Sequence, residues 1–211
     1  MHPIVKEMVN LNEEKVMWLV RRALNDHTNP IEVLKYLNDG VQKVGTLFEK
    51  GEYSISDLMM AGIIYEEVMQ LEDITFENEI HKMKVNKTVV IGTIFDDLHD
   101  IGKSIFKNAL LTAGFNIVDL GVDVKPEKFL DEVQKYEFAI LGISVIMSDS
   151  LPYVEKTIKL LEKNGLRSKI KVILGGVAIT EEICRTYGAD GYSRDVLNGI
   201  RLCKEWVAEN E

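Results

Sequence analysis

The chain has 211 residues, 25 lysines and arginines against 34 aspartates and glutamates, a formal charge of −9 and 46% hydrophobic residues. That is one large domain or two small ones with enough apolar material for a core, neither disordered nor collagen-like. The acidic balance excludes a nucleic-acid partner as the expectation, because displacing counterions needs a basic face and no Lys/Arg-rich segment occurs. Apolar stretches such as 138–146 are far shorter than the roughly 20 residues that cross a bilayer. The start, Met1-His2-Pro3-Ile4-Val5-Lys6-Glu7, lacks the apolar region of a secretion signal, so a cytoplasmic protein with no membrane partner is expected. Cys184 and Cys203 fall on separate predicted helices, which suits neither a disulfide framework nor a zinc site; they read as inert, partly buried thiols.

About the first 75 residues carry helical signals. Asn12 can cap a helix over 13–25, with Val16, Leu19, Val20 and Leu24 on one face. Asn29-Pro30 is a cap residue followed by Pro at the first helical position, and Ile31, Val33, Leu34, Leu37, Val41 and Val44 carry that helix toward Gly45. A third helix, rich in Met and Leu, spans 56–72. Each apolar stripe needs a cover, so a bundle of three or four helices is expected.

The charged stretch 79–86 breaks the pattern and marks a boundary, giving a helical domain over 1–80 and a second domain over 87–211. Beyond it, β-branched runs alternate with amphipathic helices. Strands are predicted at 88–92, 116–119, 138–144, 171–174 and near Gly191-Tyr192; helices at 102–113, 126–136, 151–164, 180–187 and 196–209. Five such units predict an α/β fold, a five-stranded, doubly wound parallel sheet with helices on both faces behind a helical cap. Ligands of such sheets sit outside the carboxyl ends of the strands, so function is sought in the loops after Gly92, Asp119, Ser144 and Gly175.

The first of these loops reads Ile94-Phe95-Asp96-Asp97-Leu98-His99-Asp100-Ile101-Gly102-Lys103. Its carboxylates would repel a phosphate, which lowers the weight of flavin and dinucleotide readings. A phosphorelay receiver needs an acceptor Asp after its third strand, where this chain has Ser144. Asp97-x-His99 instead places a carboxylate where it can fix the tautomer of an imidazole and make its other nitrogen a better ligand. A surface His beside an Asp by chance is the plainer alternative for the pair alone.

With its context the pair resembles the cobalamin-binding signature of the corrinoid proteins that serve methyltransferases. The resemblance rests on Asp97-x-His99-x-x-Gly102, on Ser144, Ser148 and Ser150, on Asp119-Leu120-Gly121-Val122-Asp123-Val124, on Gly175-Gly176 with Val177-Ala178-Ile179-Thr180, and on Gly188-Ala189-Asp190-Gly191-Tyr192. Val44-Gly45, Phe48-Glu49, Gly51-Glu52-Tyr53 and Leu58-Met59-Met60-Ala61 look like the family's helical cap. One departure is Ser144-Val145-Ile146, where the family commonly has Ser-x-Leu; the Ser is kept.

The resemblance implies a cobalamin-binding, flavodoxin-like fold and a cobalamin or related corrinoid as cofactor. It implies His99 as the lower axial ligand of cobalt, Asp97 on its other ring nitrogen, and Ser150 completing a proton-linked chain of three. Ser144 and Ser148 would hold the cofactor's nucleotide tail; Asp100, Ile101, Gly102, Ile146, Gly175, Gly176 and Tyr192 would line its site. Asp100 and Lys103 read equally well as solvated residues opening a helix. Met59 and Met60, with Ile63 and Ile64, would form a lid over the reactive face or simply bundle core. Tyr53 has no assigned role, and His2, His27 and His81 read as surface residues.

The implied function is a methyl carrier. Co(I) would accept a methyl group from a substrate on a partner methyltransferase, and methyl-Co(III) would pass it to a second methyltransferase with a folate or thiol acceptor. A reductive activase is the implied third partner, and 79–86 would be the hinge by which the cap moves. The alternatives are a cobalamin-dependent sensor, for which the early start of the helices leaves little room for a signalling domain, a cobalamin subunit of a mutase, which a helical cap argues against, and a module that merely stores the cofactor.

Overall fold

The computed structural model describes residues 1–71 and 87–210. The predicted boundary and hinge at 79–86, and His81, lie outside these residues. The chain divides into two compact units, Met1–Lys84 with Asn108–Gly114, and Val85–Lys107 with Phe115–Glu211.

The helical unit contains α1 (Pro3–Val9), α2 (Glu13–Asn25), α3 (Pro30–Glu49) and α4 (Ile55–Met69). Helix α1 was not among the predicted elements. It begins with Pro at its first position and His2 as its cap, the ring Nδ1 accepting from Ile4 N at 3.3 Å. It buries Ile4, Val5 and Met8. Asn12 caps α2 as expected, accepting from Lys15 N at 3.2 Å. Helix α4 opens on a capping box in which Ser54 and Asp57 satisfy each other's backbone N–H groups. The interior is aliphatic: Met8, Val16, Val20, Leu37, Val44, Leu58, Ile64 and Val68 are fully buried.

The second unit is a parallel sheet of β1 (Thr88–Thr93), β2 (Asn116–Asp119), β3 (Ala139–Ser144), β4 (Ile170–Gly175) and β5 (Gly191–Ser193), in the order β2-β1-β3-β4-β5. The connections carry α5 (Ile101–Thr112), α6 (Pro126–Val133), α7 (Leu151–Lys163) and α8 (Glu181–Tyr187), and α9 (Val196–Asn210) ends the chain. Val90, Leu141 and Val172 face a core shared with Phe129 and Val133 of α6 and with Val154, Ile158 and Leu161 of α7. Val89, Ile91, Ile140 and Ile173 on the other pleat face are buried as well, the two-sided burial that a parallel sheet requires. Cys184 and Cys203 are free and buried, and burial pushes the Cys203 thiol up to about 12. No helix among the described residues is long and apolar enough to cross a membrane.

Candidate functional site

In this strand order the connections leave β1 and β3 in opposite directions, so a crevice opens at the carboxyl ends of these neighbours. Register aligns Thr93 with Ser144, Ser144 with Gly175, and Gly175 with Ser193 along that edge. The loops after β1 and β3 flank the crevice, and Asp97 joins them.

The Asp97 side chain is fully buried. Its Oδ1 accepts from His99 N at 3.0 Å and from His99 Nδ1 at 2.8 Å. Its Oδ2 accepts from the backbone N–H groups of Ile146 at 2.6 Å and Met147 at 3.0 Å, across the crevice. Burial pushes this carboxyl up, but the bonds from Ile146, His99 and Met147 outweigh it and hold the group below the usual carboxylate range. An ionised carboxylate only accepts, so His99 Nδ1 carries a proton and Nε2 is the ring nitrogen left to face a ligand. The His99 side chain is 57% exposed, and no described residue bonds Nε2. The ring is therefore oriented through Nδ1, with Nε2 as the nitrogen left open to a ligand.

The loop that presents it is held in a sterically restricted shape. Asp96 and Asp123 have φ of 65° and 54°, left-handed conformations that Asp tolerates better than most side chains. Asp96 N donates to Asp123 Oδ1 at 2.8 Å, and Asp123 N donates to Asp97 O at 3.1 Å. The buried Thr93 Oγ1 donates to the main-chain oxygen of His99 at 2.9 Å.

The structure thus brings together Asp97, His99 and the Ile146 backbone. It does not assemble the three-membered chain expected to end at Ser150. Ser150 is fully buried, but its Oγ donates to the main-chain oxygen of Asp96 at 3.1 Å, while other donors occupy both Asp97 oxygens. Ser144 is half-buried beside Gly175, and Ser148 is exposed in the short 3₁₀ turn Ser148–Ser150. Asp100 and Ile101 are exposed at the start of α5, where Ser104 N donates to Asp100 O. Lys103, for which a solvated helix opener was one of two readings, is buried, its Nζ 2.7 and 2.8 Å from the two oxygens of Asp119. Burial raises the Asp119 carboxyl, yet Lys103, the Gly121 N–H and Lys107 together hold it low.

The glycines divide. A Cβ on Gly176, whose φ is +110°, would lie 2.0 Å from Val145 O, so the chain itself demands glycine there without any ligand. A Cβ on Gly102 would meet nothing within 4 Å, and one on Gly175 would meet only Ser193 O at 3.6 Å. Tyr192 is half-buried against the sheet core. In the helical unit Met59 is half-buried, Met60 and Ile63 are exposed, and Ile64 is fully buried as bundle core.

Several residues of the site escaped the sequence reading. Thr93, which ends β1, lies one residue past the strand predicted at 88–92, and Met147 acts through its backbone N–H. Leu98, Met147 and Val177, together with the expected Ile101, are large apolar side chains left exposed at the carboxyl edge; Leu98 and Ile101 are each 73% exposed. Exposed apolar residues in the loops of a sheet edge were the available signal.

These features fit a corrinoid. Among the described residues no three His, Cys, Asp or Glu side chains gather as a metal site, and at this edge the donor on offer is the one imidazole oriented by Asp97. That suits a metal whose macrocycle brings its other ligands and needs an axial one. The open space at Gly102 and the exposed apolar residues around His99 suit a large, partly apolar ring. Residues 87–201 match the B12 binding domain family, and residues 2–71 match a second family described in the same words. The chain is similar to dimethylamine corrinoid protein 3 of Methanosarcina acetivorans, 32% identical over 97% of this chain and 95% of that one. Among solved structures it resembles a cobalamin-binding protein from Desulfitobacterium hafniense (32% identity, TM-score 0.59, 96% of each chain). It also resembles the methanol:cobalamin methyltransferase complex MtaBC from Methanosarcina barkeri (26% identity, TM-score 0.78, 98% of this chain and 78% of that one). The chain belongs to the B12-binding corrinoid proteins, and its cofactor is a corrinoid.

Proposed function

We propose that this protein is a methyl carrier that works with a methyltransferase. The observation that carries the reading is His99, an imidazole fixed through Nδ1 by buried Asp97 with Nε2 open at the β1/β3 crevice. The names of its relatives support the methyl-transfer setting, since they are corrinoid proteins of dimethylamine and a methanol:cobalamin methyltransferase complex. When bound, the corrinoid supplies a cobalt centre able to take up a methyl group and give it away.

The residues of this chain bind and orient. His99 would hold the cobalt through Nε2, and Asp97 would keep the Nδ1 proton in place, which raises the donor strength of the ring. Ser144 and Ser148 would hold the nucleotide tail, with Gly102 and Gly175 leaving it room, and Asp100, Ile101, Ile146, Gly176 and Tyr192 would line its path. Ser150 would act through the backbone, by supporting the Asp96 carbonyl. The helical domain, 1–80, would shield the cofactor held by 87–211, with Met59 and Met60 as the side chains it contributes. A second methyltransferase with a folate or thiol acceptor, and a reductive activase, complete the cycle.

The test is to load the protein with corrinoid, reduce it, and add a methylamine methyltransferase with its methylamine. The reading predicts methylation of the bound corrinoid, seen in its visible spectrum, and loss of that methyl on adding a thiol-dependent methyltransferase. Tight corrinoid binding with no methylation by methylamine, methanol or methyl-ether systems would refute it.

A further inference from the structure

The axial ligand needs more than a carboxylate on its ring. A half-exposed histidine at the tip of a loop keeps its rotamers and its peptide orientation free unless something removes them, and that ordering cost falls on the binding step. Here both main-chain groups of His99 are clamped. Its N–H is held by Asp97 Oδ1 at 3.0 Å, and its carbonyl accepts from Thr93 Oγ1 at 2.9 Å. Thr93 is itself a rigid anchor. It is the last residue of interior strand β1, fully buried, with its N–H donating to Gly121 O at 3.0 Å and its carbonyl accepting from Val124 N at 2.9 Å. A β-branched side chain in that position has little χ1 freedom. The Thr93 hydroxyl thus ties the loop bearing His99 to the sheet and to the β2 loop at one point.

We propose that Thr93 is a positioning residue for the axial ligand: its hydroxyl fixes the peptide following His99 and so aims Nε2 before the cofactor arrives. This rests on the corrinoid ligation proposed above. Asp97 bonds the N–H side of His99 and nothing on its carbonyl side, which Thr93 holds. Without the Thr93 hydroxyl the imidazole turns away from one orientation, and ligation weakens while the tail contacts persist.

The experiment compares the wild type with Thr93→Val, which keeps the shape, Thr93→Ala, a second variant without the hydroxyl, and Thr93→Ser, which restores it. Each is loaded with hydroxocobalamin, and the ratio of histidine-ligated to unligated bound cofactor is read from the visible spectrum. In parallel, the Nδ1–H proton of His99 is observed by NMR in the cofactor-free protein. Thr93→Val and Thr93→Ala are expected to retain cofactor, lower the ligation ratio about tenfold, and lose or broaden the ring-proton signal; Thr93→Ser is expected to recover both. A fall in thermal stability with both readouts unchanged makes Thr93 merely structural and overturns the proposal. If the wild type retains no corrinoid, the proposed function falls, and the ring-proton signal alone decides the role of Thr93: persistence of that signal in Thr93→Val overturns it.

Discussion

The helical unit and the carboxyl edge of the sheet are held by different kinds of force. The former buries aliphatic side chains such as Leu37, Leu58 and Ile64, whose attraction has no direction and tolerates repacking at conserved volume. The latter buries Asp97, Thr93 and Ser150, each spent on a main-chain group of a loop. Directional bonds set a position to within tenths of an ångström, which dispersion among methyl groups does not. The contrast teaches where this chain invests in precision: at the edge that presents His99.

The sharpest way to break the comparison lies within two glycines of that edge. Gly176→Ala places a carbon 2.0 Å from Val145 O at a φ that alanine resists, and should cost about 4 kcal/mol or more. Gly102→Ala meets nothing and should leave chemical denaturation unchanged or slightly improved, while weakening corrinoid retention. Gly102→Ala that retains cofactor as the wild type does would remove Gly102 from the site.

Leu58→Ala tests the helical side. A fully buried leucine in α4 should cost about 2–5 kcal/mol through lost burial and the cavity left behind. The ring-proton signal of His99 should be untouched. Its disappearance would mean that the edge depends on the bundle packing.

Among the destabilising substitutions Asp97→Asn has the smallest expected effect, and it sharpens the electrostatic half of the contrast. Its loss at pH 7 should be about 1–3 kcal/mol, because Asn has one neutral acceptor oxygen where Asp97 has two, so one donor pair, at His99 or at Ile146 and Met147, is left facing the amide NH2. The sign with pH follows from the lowered carboxyl. Its stabilising contribution is fully present above the unfolded value of about 3.9 and is lost as pH falls through the lower folded value. The variant should therefore lose less stability than the wild type on acidification below about pH 4. Parallel acid limbs for the two proteins would contradict the bonding described for Asp97.

Much of this architecture was legible because period and punctuation coincide. β-Branched runs ended by polar loops located all five strands, and cap residues such as Asn12 and Asn29-Pro30 located helix starts. Helix α1 was not found, since seven residues hold too few turns to display a stripe and His2 is an uncommon cap. Asp97 and His99 were legible because their interaction is local in sequence. The partners of Ser150 and the second oxygen of Asp97 were not, because they are main-chain groups about 50 positions away that side-chain identity does not encode. The burial of Lys103 was not legible for a related reason: Asp119 reaches it only once β2 lies beside β1.

The central claim is that His99 is the open, prepared ligand of a corrinoid. It is tested most directly by loading the wild type and His99→Ala with hydroxocobalamin, removing the excess, and recording both visible spectra. The account predicts stoichiometric binding by the wild type with a histidine-ligated spectrum that the variant lacks while still holding cofactor through the tail. An identical spectrum from His99→Ala, or a wild type that retains no cofactor, would contradict it.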